Sequence, residues 1–441
     1  MIDRAKTRAF ARRLEPFTGA FFWLQAFYFV YLLRPEDKVP GMSYVPWAKV
    51  AGLFGIVGLL QSVGKSRLPW PREVIYLILL TVHFSVGVPF AYWRGGAFER
   101  LLDFSKVTVL VVLMLYAINN LARLRRVIYL HAACVACVAS LSAIQGQRDD
   151  TGRLLGAVGG LYANPNDLGI AIVLCLPLCF AFFLRTKSLL RKAIWTSAMS
   201  LMVLALCLSA SRSGLLSFVV VGAVCLLEFG VRGGRRYLIP IVGVAALAFF
   251  LLFGGKVTQR FEAMTGTNED STLETKAYGS AQERVGLLKK SLVLTIQHPI
   301  FGVGFGNFPA LSGNFKVTHN SYTEISSEGG IPALVLFLLI LWRAFANLRE
   351  ARRLVGSQSE EMLYVGALNA AFCGYIIGSC FISFAYDLFI YMFVGYTTAL
   401  ARIARSEATP SLEPVAAEGK MNFTLGLRGR TQGATDLRPA S

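Results

Sequence analysis

The sequence has little charge for its length. Asp, Glu, Lys and Arg make up only 16% of its 441 residues, whereas 55% are hydrophobic. Long hydrophilic intervals are also scarce, and the longest runs from residue 254 to residue 328. A soluble protein rarely has this composition. The sequence therefore predicts a protein embedded in a membrane.

Three further absences narrow the class of protein. All eight cysteines lie in apolar segments, so no disulfide is expected in the long hydrophilic interval, and Cys134-x-x-Cys137 is interpreted as helix packing rather than a redox pair. The chain shows no internal repeat of the kind that transporters often have. The hydrophilic loops contain no Asp-x-Asp pair, which disfavours metal-dependent transfer from a nucleotide sugar. No metal site and no cofactor are predicted.

Apolar segments of membrane-spanning length make up most of the chain. Stretches of ~17–23 apolar residues cross a ~30 Å hydrocarbon core as helices. The first such segment ends without a small-residue cleavage site, so we interpret it as an uncleaved span. The predicted fold is an all-α polytopic membrane protein, with one transmembrane domain over residues 1–402 and a disordered tail over 403–441. By length, about twelve spans are predicted, at 17–33, 47–63, 73–92, 102–121, 124–144, 166–184, 191–209, 213–230, 237–253, 329–348, 360–383 and 384–402.

The positively charged residues are concentrated in the loops on one predicted side of the membrane. The formal net charge is +18, but Lys and Arg are concentrated in alternate loops and sparse in the short loops between them. The positive-inside rule therefore places both termini in the cytoplasm and the 254–328 loop outside. With this distribution the charge does not indicate a nucleic-acid partner. The basic loops lie around residues 4–13, 65–72, 123–126, 185–192, 232–236 and 343–353.

The 254–328 loop contains a predicted anion site. Ser280 with Glu283 three residues later is a capping-box pattern, so a helix is expected to begin at Ser280. Arg284 would then lie in the first turn, where a guanidinium and unpaired backbone N–H groups together favour an anion. The helix should end near Gln297, because Pro299 disfavours its continuation.

The same loop then turns sharply and reaches a histidine. Phe301–Gly306 is rich in glycine, which permits tight turns and close approach of backbones. His319 and Asn320 follow, just before the apolar segment that starts after Gly329-Gly330. A neutral histidine suits a base at near-neutral pH. His319 is therefore a candidate base, although a plain hydrogen-bonding role in the loop is the alternative.

Other polar residues mark the outer ends of spans. Asn164 before Pro165 predicts a helix N-cap with proline in the first helical position, and Asn166 adds a polar group that the cap does not need. Arg212 is the only charge in the short turn Ser209–Gly214, where it is interpreted as an oxyanion clamp rather than an anchor to bulk lipid.

Lys106 and two histidines stand out among the charged and titratable residues within predicted spans. Lys106 is placed about one turn inside the outer end of its span, where either a substrate contact or snorkelling to the surface would account for it. His83 and His131 are interpreted as hydrogen-bonded groups between helices rather than as ligands.

Three blocks in this order resemble the bacterial O-antigen ligase and O-antigen polymerase superfamily, which has a Wzy-type C-terminal domain. The resemblance covers about residues 150–345. One departure is Gly329-Gly-Ile-Pro332, where Gly-Ile/Leu-Gly is commoner, so a different start of the following helix is expected. The blocks are Arg153…Asn164-Pro165-Asn166, Ser209-Ala-Ser-Arg212-Ser-Gly214, and Arg284…His298-Pro299…Gly302-Val-Gly304…His319-Asn320…Glu328-Gly-Gly-Ile.

The resemblance implies a GT-C-like, metal-independent inverting glycosyltransferase of the bacterial inner membrane. Such enzymes move a glycan from undecaprenyl diphosphate to a hydroxyl, for example on lipid A-core, at the periplasmic face. Polymerases and enzymes that O-glycosylate proteins share the blocks, and a transporter of lipid-linked glycans is a further alternative. Carried onto this sequence, the resemblance implies Arg212, Arg284 and His319 as catalytic residues and Arg153, Asn164 and Asn166 as residues on the donor side. Lys106 and Asn320 are further candidates for substrate binding, from their own positions in the sequence.

Overall fold

The computed structural model describes residues 17–61, 70–244, 251, 272–313, 315–357 and 359–408, and for 272–281 it describes the backbone alone. The predicted disordered tail therefore lies outside the described residues from position 409 onward. About half of the predicted span 237–253 and the first part of the 254–328 loop lie outside them as well.

The described part of the chain is all-helical, as predicted. Two irregular stretches matter below: α8 continues as a π-helix over Leu226–Arg232, and α11 is kinked. The helices are α1 Thr18–Leu33, α2 Trp47–Leu60, α3 Arg72–Gly87, α4 Arg94–Ala117, α5 Leu121–Gln145, α6 Pro165–Arg185, α7 Leu189–Ser209, α8 Arg212–Cys225, α9 Thr272–Gln297, α10 Phe308–Ser312, α11 Ser321–Leu354, α12 Glu360–Gly378 and α13 Leu388–Ala408.

Seven of these helices are long and apolar enough to cross a membrane, so the protein is a multi-pass membrane protein. They are α3, α5, α6, α7, α8 with its π-helical end, α11 and α12. Helices α1 and α2 are apolar but shorter. Helices α4 and α13 coincide with predicted spans without being among the seven. The total of twelve spans and the orientation of the termini stay predictions.

Helix α6 lies at the centre of the bundle and fixes the end of the molecule described below. It packs against α5, α7, α8 and α12, while α11 packs against α3, α9 and α13. Helices α6, α8 and α11 begin at the end of the bundle where α12 finishes. The first residues of these three helices therefore lie together, near the last residues of α12. This end is called the site end.

The predicted helix start at Ser280 is wrong. Helix α9 begins at Thr272, so Ser280 lies inside it and Arg284 lies in about its fourth turn rather than its first. The unpaired N–H groups of a helix start are therefore not beside Arg284. The 254–328 loop consequently holds a helix of 26 residues besides the short α10. The predicted end at Gln297 is confirmed.

Helix α11 is broken at Gly330, whose φ of 75° and ψ of −177° are not helical. Pro332 has no N–H, so the Glu328 carbonyl has no donor within the helix. The Gly304 N–H donates to that carbonyl at 3.1 Å. The break in α11 thus lies within Gly329–Pro332, the segment in which the sequence departs from the pattern of the family that it resembles.

The glycine-rich loop also satisfies the neighbouring backbone groups of the break. The Val303 N–H donates to the Ser327 carbonyl at 2.8 Å, and the Ile331 N–H donates to the Pro299 carbonyl at 2.8 Å. Buried backbone groups left without partners would cost free energy comparable to a lost hydrogen bond. The loop after α9 therefore stabilises the kink in α11.

Glycine is required in this loop. Gly302, Gly304 and Gly306 have φ of 62°, 106° and 71°, in a region that side chains rarely adopt. A Cβ on Gly302 would overlap the backbone of Glu328, and one on Gly304 would overlap Ala91. The predicted tight turns and close backbone approach are confirmed.

The two histidines within spans are hydrogen-bonded between helices, as predicted. His83 Nε2 lies 2.7 Å from the Gly329 carbonyl oxygen at the kink of α11. His131 Nδ1 lies 2.7 Å from the Tyr396 hydroxyl in the core. His83 thereby ties α3 to the break in α11.

Candidate functional site

The first two sequence blocks come together in one hydrogen-bonded cluster at the site end. Arg153 donates from Nε to the Ser209 carbonyl at 3.0 Å and from Nη2 to Asn166 Oδ1 at 2.7 Å. The Ser211 hydroxyl donates to the same Asn166 oxygen at 3.1 Å. Residues 45 positions apart in sequence thus form one polar surface beside Arg212.

The start of α6 follows the predicted cap. Asn164 Oδ1 accepts the Asn166 N–H at 2.8 Å, and Pro165 is the first helical residue. Because the cap engages the side chain of Asn164 and the backbone of Asn166, the Asn166 side chain is left to bind Arg153. Asn164 therefore has a structural role in positioning Asn166, and its contact with a substrate stays a prediction.

Arg212 is the first residue of α8 and is partly exposed. The turn before it contains Ala210 in the left-handed region, with φ of 49°, and Ser211 caps the helix by accepting the Gly214 N–H at 3.2 Å. A non-glycine residue at positive φ stores strain that surrounding contacts must offset, and such residues cluster at functional sites. The strained turn fixes where the Arg212 side chain begins.

His319 also has a left-handed backbone, with φ of 55°. Its N–H donates to the Ser383 hydroxyl at 3.0 Å, and that hydroxyl lies 3.1 Å from Thr318 Oγ1. The loop after α12, which carries Ser383, therefore holds the backbone on both sides of the imidazole. The ring itself is partly buried.

Asn320 supports His319 structurally. Its Oδ1 caps α11 by accepting the Tyr322 and Thr323 N–H groups at 3.0 and 3.1 Å. Its Nδ2 donates to the Cys380 carbonyl at 3.1 Å. With these bonds the side chain joins α11 to the end of α12, and a direct contact with substrate stays a prediction.

Helix α9 brings Arg284 to His319. Two contacts hold α9 along the segment before the kink: Thr295 Oγ1 lies 2.9 Å from the Ser326 hydroxyl, and Glu283 pairs with Lys316 at 2.6 Å. Arg284, the residue after Glu283, is half-buried and acts electrostatically on His319. The pairing of Arg284 with His319 in one site stays a prediction.

The imidazole of His319 is kept neutral. Burial and then the nearby Arg284 guanidinium lower the pKa of His319 from 6.5 to about 4, with Glu283 acting in the opposite direction. Burial lowers the pKa of Arg284, and Glu283 raises it. Since arginine stays protonated at physiological pH, a cation lies beside a neutral ring that has a nitrogen able to accept a proton.

The end of α12 connects Arg212 with His319. A Cβ on Gly378 would lie 2.6 Å from the hydroxyl of Ser217, about one and a half turns after Arg212. Two residues beyond Gly378, the Cys380 carbonyl accepts from Asn320. Arg212 and His319 therefore belong to the same end of the bundle. The shared grip of Arg212 and Arg284 on one diphosphate stays a prediction.

Lys106 is not brought to these residues. It lies in the middle of α4, its side chain is 61% exposed, and its Nζ pairs with Asp103 at 2.6 Å. Of the two interpretations that the sequence left open, this outward position agrees with the surface one. A role in binding substrate has no contact to support it within the described ranges.

Sequence reasoning missed two residues beside the glycine-rich loop. Glu328 is 2% exposed, and its carboxylate accepts the Gly306 and Phe308 N–H groups at 3.0 and 3.2 Å. Arg100 of α4 packs over Gly306, where a Cβ would lie 2.5 Å from its Cγ. The signal for Glu328 was an acidic residue next to Gly-Gly at the start of an apolar segment, where a charge requires a partner.

Comparison with known proteins gives one family match. Residues 197–338 match the Wzy_C family, described as O-antigen ligase. This range contains Arg212, Arg284 and His319, whereas Arg153 and the Asn164–Asn166 segment lie before it. No curated protein matches the sequence.

One solved structure shows a distant similarity. It comes from a study of the structural coordination of polymerization and crosslinking by a peptidoglycan synthase complex. The alignment covers 78% of this chain and 100% of that chain, with 14% identity and a TM-score of 0.44. This similarity is too low to carry a conclusion about fold or function.

The range of the family match includes the third sequence block and the turn that carries Arg212. In the fold, Arg212 and His319 lie at one end of a multi-pass helical bundle, and the charge of Arg284 helps to lower the pKa of His319. The match confirms the family that the three blocks predicted. Residues 197–338 of this multi-pass membrane protein thus carry a domain that matches the O-antigen ligase family.

Proposed function

We propose that the protein transfers a glycan from undecaprenyl diphosphate to an acceptor hydroxyl, on lipid A-core or a similar glycan, at the periplasmic face of the inner membrane. The O-antigen ligase domain supports glycan transfer of the ligase or polymerase type. The finer proposal is carried by His319, whose backbone N–H is bonded to Ser383 and whose pKa is lowered by burial and by the Arg284 guanidinium. Together, Arg284 and His319 would supply an anion-binding group and a proton acceptor.

In the proposed reaction, the two arginines bind the diphosphate. The acceptor oxygen attacks the anomeric carbon from the face opposite the carrier, and the bond from that carbon to the phosphate oxygen breaks. The electron pair of this bond goes to the diphosphate, where Arg212 and Arg284 stabilise the developing charge. Arg153 and Asn166, already bonded to each other, line the donor side.

His319 accepts the proton of the acceptor hydroxyl. In the free protein its pKa of about 4 makes it a weak base. A bound diphosphate would offset the charge of Arg284, and a nearby anion favours the protonated imidazole. Donor binding would therefore raise the pKa of His319 and make it a stronger base when the acceptor arrives.

The proposed reaction uses no metal ion, because diphosphate is already a good leaving group and the arginines supply the positive charge. In the part of the chain that the structure describes, no group of three or more His, Cys, Asp or Glu side chains could hold a metal. Metal independence is tested directly: turnover should persist in excess EDTA. Loss of turnover that magnesium or manganese restores would contradict it.

A polymerase is the second candidate, with another lipid-linked repeat as acceptor. The same site serves both reactions, since donor and chemistry are shared. A protein O-glycosylating transferase differs again only in its acceptor. A transporter is less well supported, because the polar cluster of Arg153, Asn166 and Arg212 and the histidine lie at one end of the bundle.

The proposal is tested with purified full-length protein and undecaprenyl-diphosphate glycan as donor. One reaction contains lipid A-core as acceptor, and the other contains only further donor. Transfer to lipid A-core establishes a ligase, and longer lipid-linked chains establish a polymerase. His319→Ala should abolish either product, with Lys290→Ala, an exposed residue of the same helix as Arg284, as the control. Absence of both products with folded wild-type protein would contradict the proposal.

A further inference from the structure

A cavity lies at the end of the bundle opposite the site. Helix α6 begins at the site end and reaches Arg185 after 21 residues, about 30 Å away. There the loops after α6, α8 and α11 enclose a volume of about 570 Å³. The lining residues that matter here are Arg185, Lys187, Ser188, Arg191, Glu228, Arg235, Ser357 and Glu360.

The first acidic residue of the wall, Glu360, is fully paired. It forms ion pairs with Arg185 at 2.8 Å and with Arg125 at 3.3 Å. It also accepts the Tyr364 hydroxyl at 2.6 Å. Its charge therefore neutralises structural arginines and offers nothing to a cation in the cavity.

The second acidic residue, Glu228, is also paired. It is buried and forms ion pairs with Arg232 at 2.8 Å and with Arg352 at 2.7 Å. Asn369 donates to it at 2.9 Å. Glu228 lies in the π-helical end of α8, and π-helical turns occur frequently at functional sites.

Three cations remain on the cavity wall. Lys187, Arg191 and Arg235 form no ion pair within the part of the chain that the structure describes. Ser188, the residue before α7, also lines the cavity without capping that helix through its side chain. The N–H groups at the start of α7 thus add to the attraction for an anion.

An apolar surface adjoins these cations. Leu189, Leu190 and Ile194 lie in the first two turns of α7 and are 82%, 72% and 57% exposed. In a membrane protein, such a face at the end of a span contacts lipid chains. A ligand that satisfies both features has an anionic phosphate at one end and hydrocarbon at the other.

We propose that this cavity binds the phosphate headgroup of an anionic phospholipid, with Lys187, Arg191 and Arg235 as its ligands and α7 as the surface for its acyl chains. Basic pockets between transmembrane helices recognise anionic headgroups in this way. The site is separate from the glycan-transfer site and does not depend on that function. Inorganic phosphate shares the headgroup chemistry but lacks the hydrocarbon.

Native mass spectrometry of the delipidated full-length protein tests the proposal. Phosphatidylglycerol, phosphatidylcholine and inorganic phosphate are titrated separately. We expect one phosphatidylglycerol to bind well before others do. In K187Q/R191Q/R235Q its affinity should fall on the order of 100-fold, since each basic residue contributes about fivefold near an anionic headgroup.

Two control variants distinguish the loss of the cavity ligands from general effects of net charge or folding on lipid binding. R236Q/R349Q/R353Q removes the same charge from exposed positions outside the cavity and should bind as wild type. K187R/R191K/R235K keeps the charge and should retain most of the affinity. Equal losses in both glutamine variants, no preference for phosphatidylglycerol over phosphatidylcholine, or binding of inorganic phosphate as tight as that of the lipid would overturn the proposal.

Discussion

Arg284 and His319 share one electrostatic environment, and each determines what the other can do. The guanidinium helps to keep the imidazole neutral, and the carboxylate of Glu283 partly opposes it. Glu283 itself is bound to Lys316, so the local charges form a small network around the ring. A single substitution here should therefore change both anion binding and proton transfer.

Replacing the arginines should show whether transfer needs only a positive charge or also the planar geometry of the guanidinium. Arg284→Ala and Arg212→Ala should each lower single-turnover transfer at least ~100-fold, by comparison with other preorganised donors. Arg284→Lys should not rescue transfer, because an ammonium lacks the planar two-point fork. Donor-lipid binding measured beside transfer should stay nearly intact in His319→Ala. Wild-type transfer in His319→Ala would remove that residue from the mechanism.

The pH dependence follows from the lowered pKa of His319. The ring is neutral above about pH 4, so kcat/KM should not fall on acidification near pH 6.5, where an ordinary histidine protonates. Arg284→Gln removes a neighbouring cation and should raise the pKa of His319. Burial of the ring should still keep the pKa of His319 below 6.5 in this variant. NMR titration of the ring checks this with Lys290→Gln as control, and an unchanged pKa in Arg284→Gln would contradict the proximity.

Individual residue roles were only partly predictable from sequence. The Asn164 cap and the hydrogen-bonded His83 and His131 follow from local rules and are confirmed. The left-handed backbone of His319 could not be predicted, because it depends on Ser383, 64 residues away. Lys106 was selected as a charge within a span, and only the fold shows that it is exposed and paired with Asp103.

At the scale of elements, the junction between the glycine-rich loop and α11 determines the shape of the site. The carboxylate of Glu328 accepts two N–H groups of the loop segment after Gly304. The carbonyl of the same residue accepts the Gly304 N–H. Both the side chain and the backbone of Glu328 therefore join the loop to the helix.

Glu328→Gln should weaken this junction. An amide replaces one accepting oxygen with a donor, which would face a backbone N–H and leave it unsatisfied at a cost of about 1–3 kcal/mol. We expect a lower unfolding temperature in detergent and reduced transfer, with donor binding reduced as well. Glu99→Gln, at an exposed position of α4, is the matched control. Unchanged stability with lost transfer would instead give Glu328 a direct chemical role.

Helix positions were predictable from the apolar segments and, at Asn164, from a cap motif, but not from the capping box at Ser280. The apolar spans coincide with helices throughout the described ranges. The Ser280 cap failed because a capping box is a local pattern, and a helix that already runs from Thr272 needs no cap there. Gly279 was not a sufficient break, since one glycine costs a helix interior only about 1 kcal/mol.

At the scale of the whole molecule, the two ends of the bundle have opposite characters. One end gathers Arg153, Asn166, Arg212 and His319. The other encloses the basic cavity near Lys187. The positive-inside rule predicts that the cavity faces the cytoplasm. The cavity itself was not predictable, because its loops are distant in sequence and each resembles an ordinary basic cytoplasmic loop.

Cysteine labelling tests this orientation. In a cysteine-free background, an impermeant maleimide should label Asn268→Cys in intact cells, although position 268 lies outside the described residues. Ser357→Cys, at the cavity end, should be labelled only after permeabilisation. The reverse pattern would invert the topology and place the site on the other face of the membrane.

The break in α11 is stabilised by hydrogen bonds to the glycine-rich loop, and this affects how the activity of variants should be interpreted. A survey that replaces every residue and records only glycan product would group Gly302, Gly304 and Glu328 with His319, since any of these changes would stop the reaction. The two kinds of loss differ in abundance. Variants of the loop should leave less folded protein in the membrane, whereas His319 variants should accumulate normally. Activity divided by folded amount is therefore the quantity that would reveal the catalytic residues.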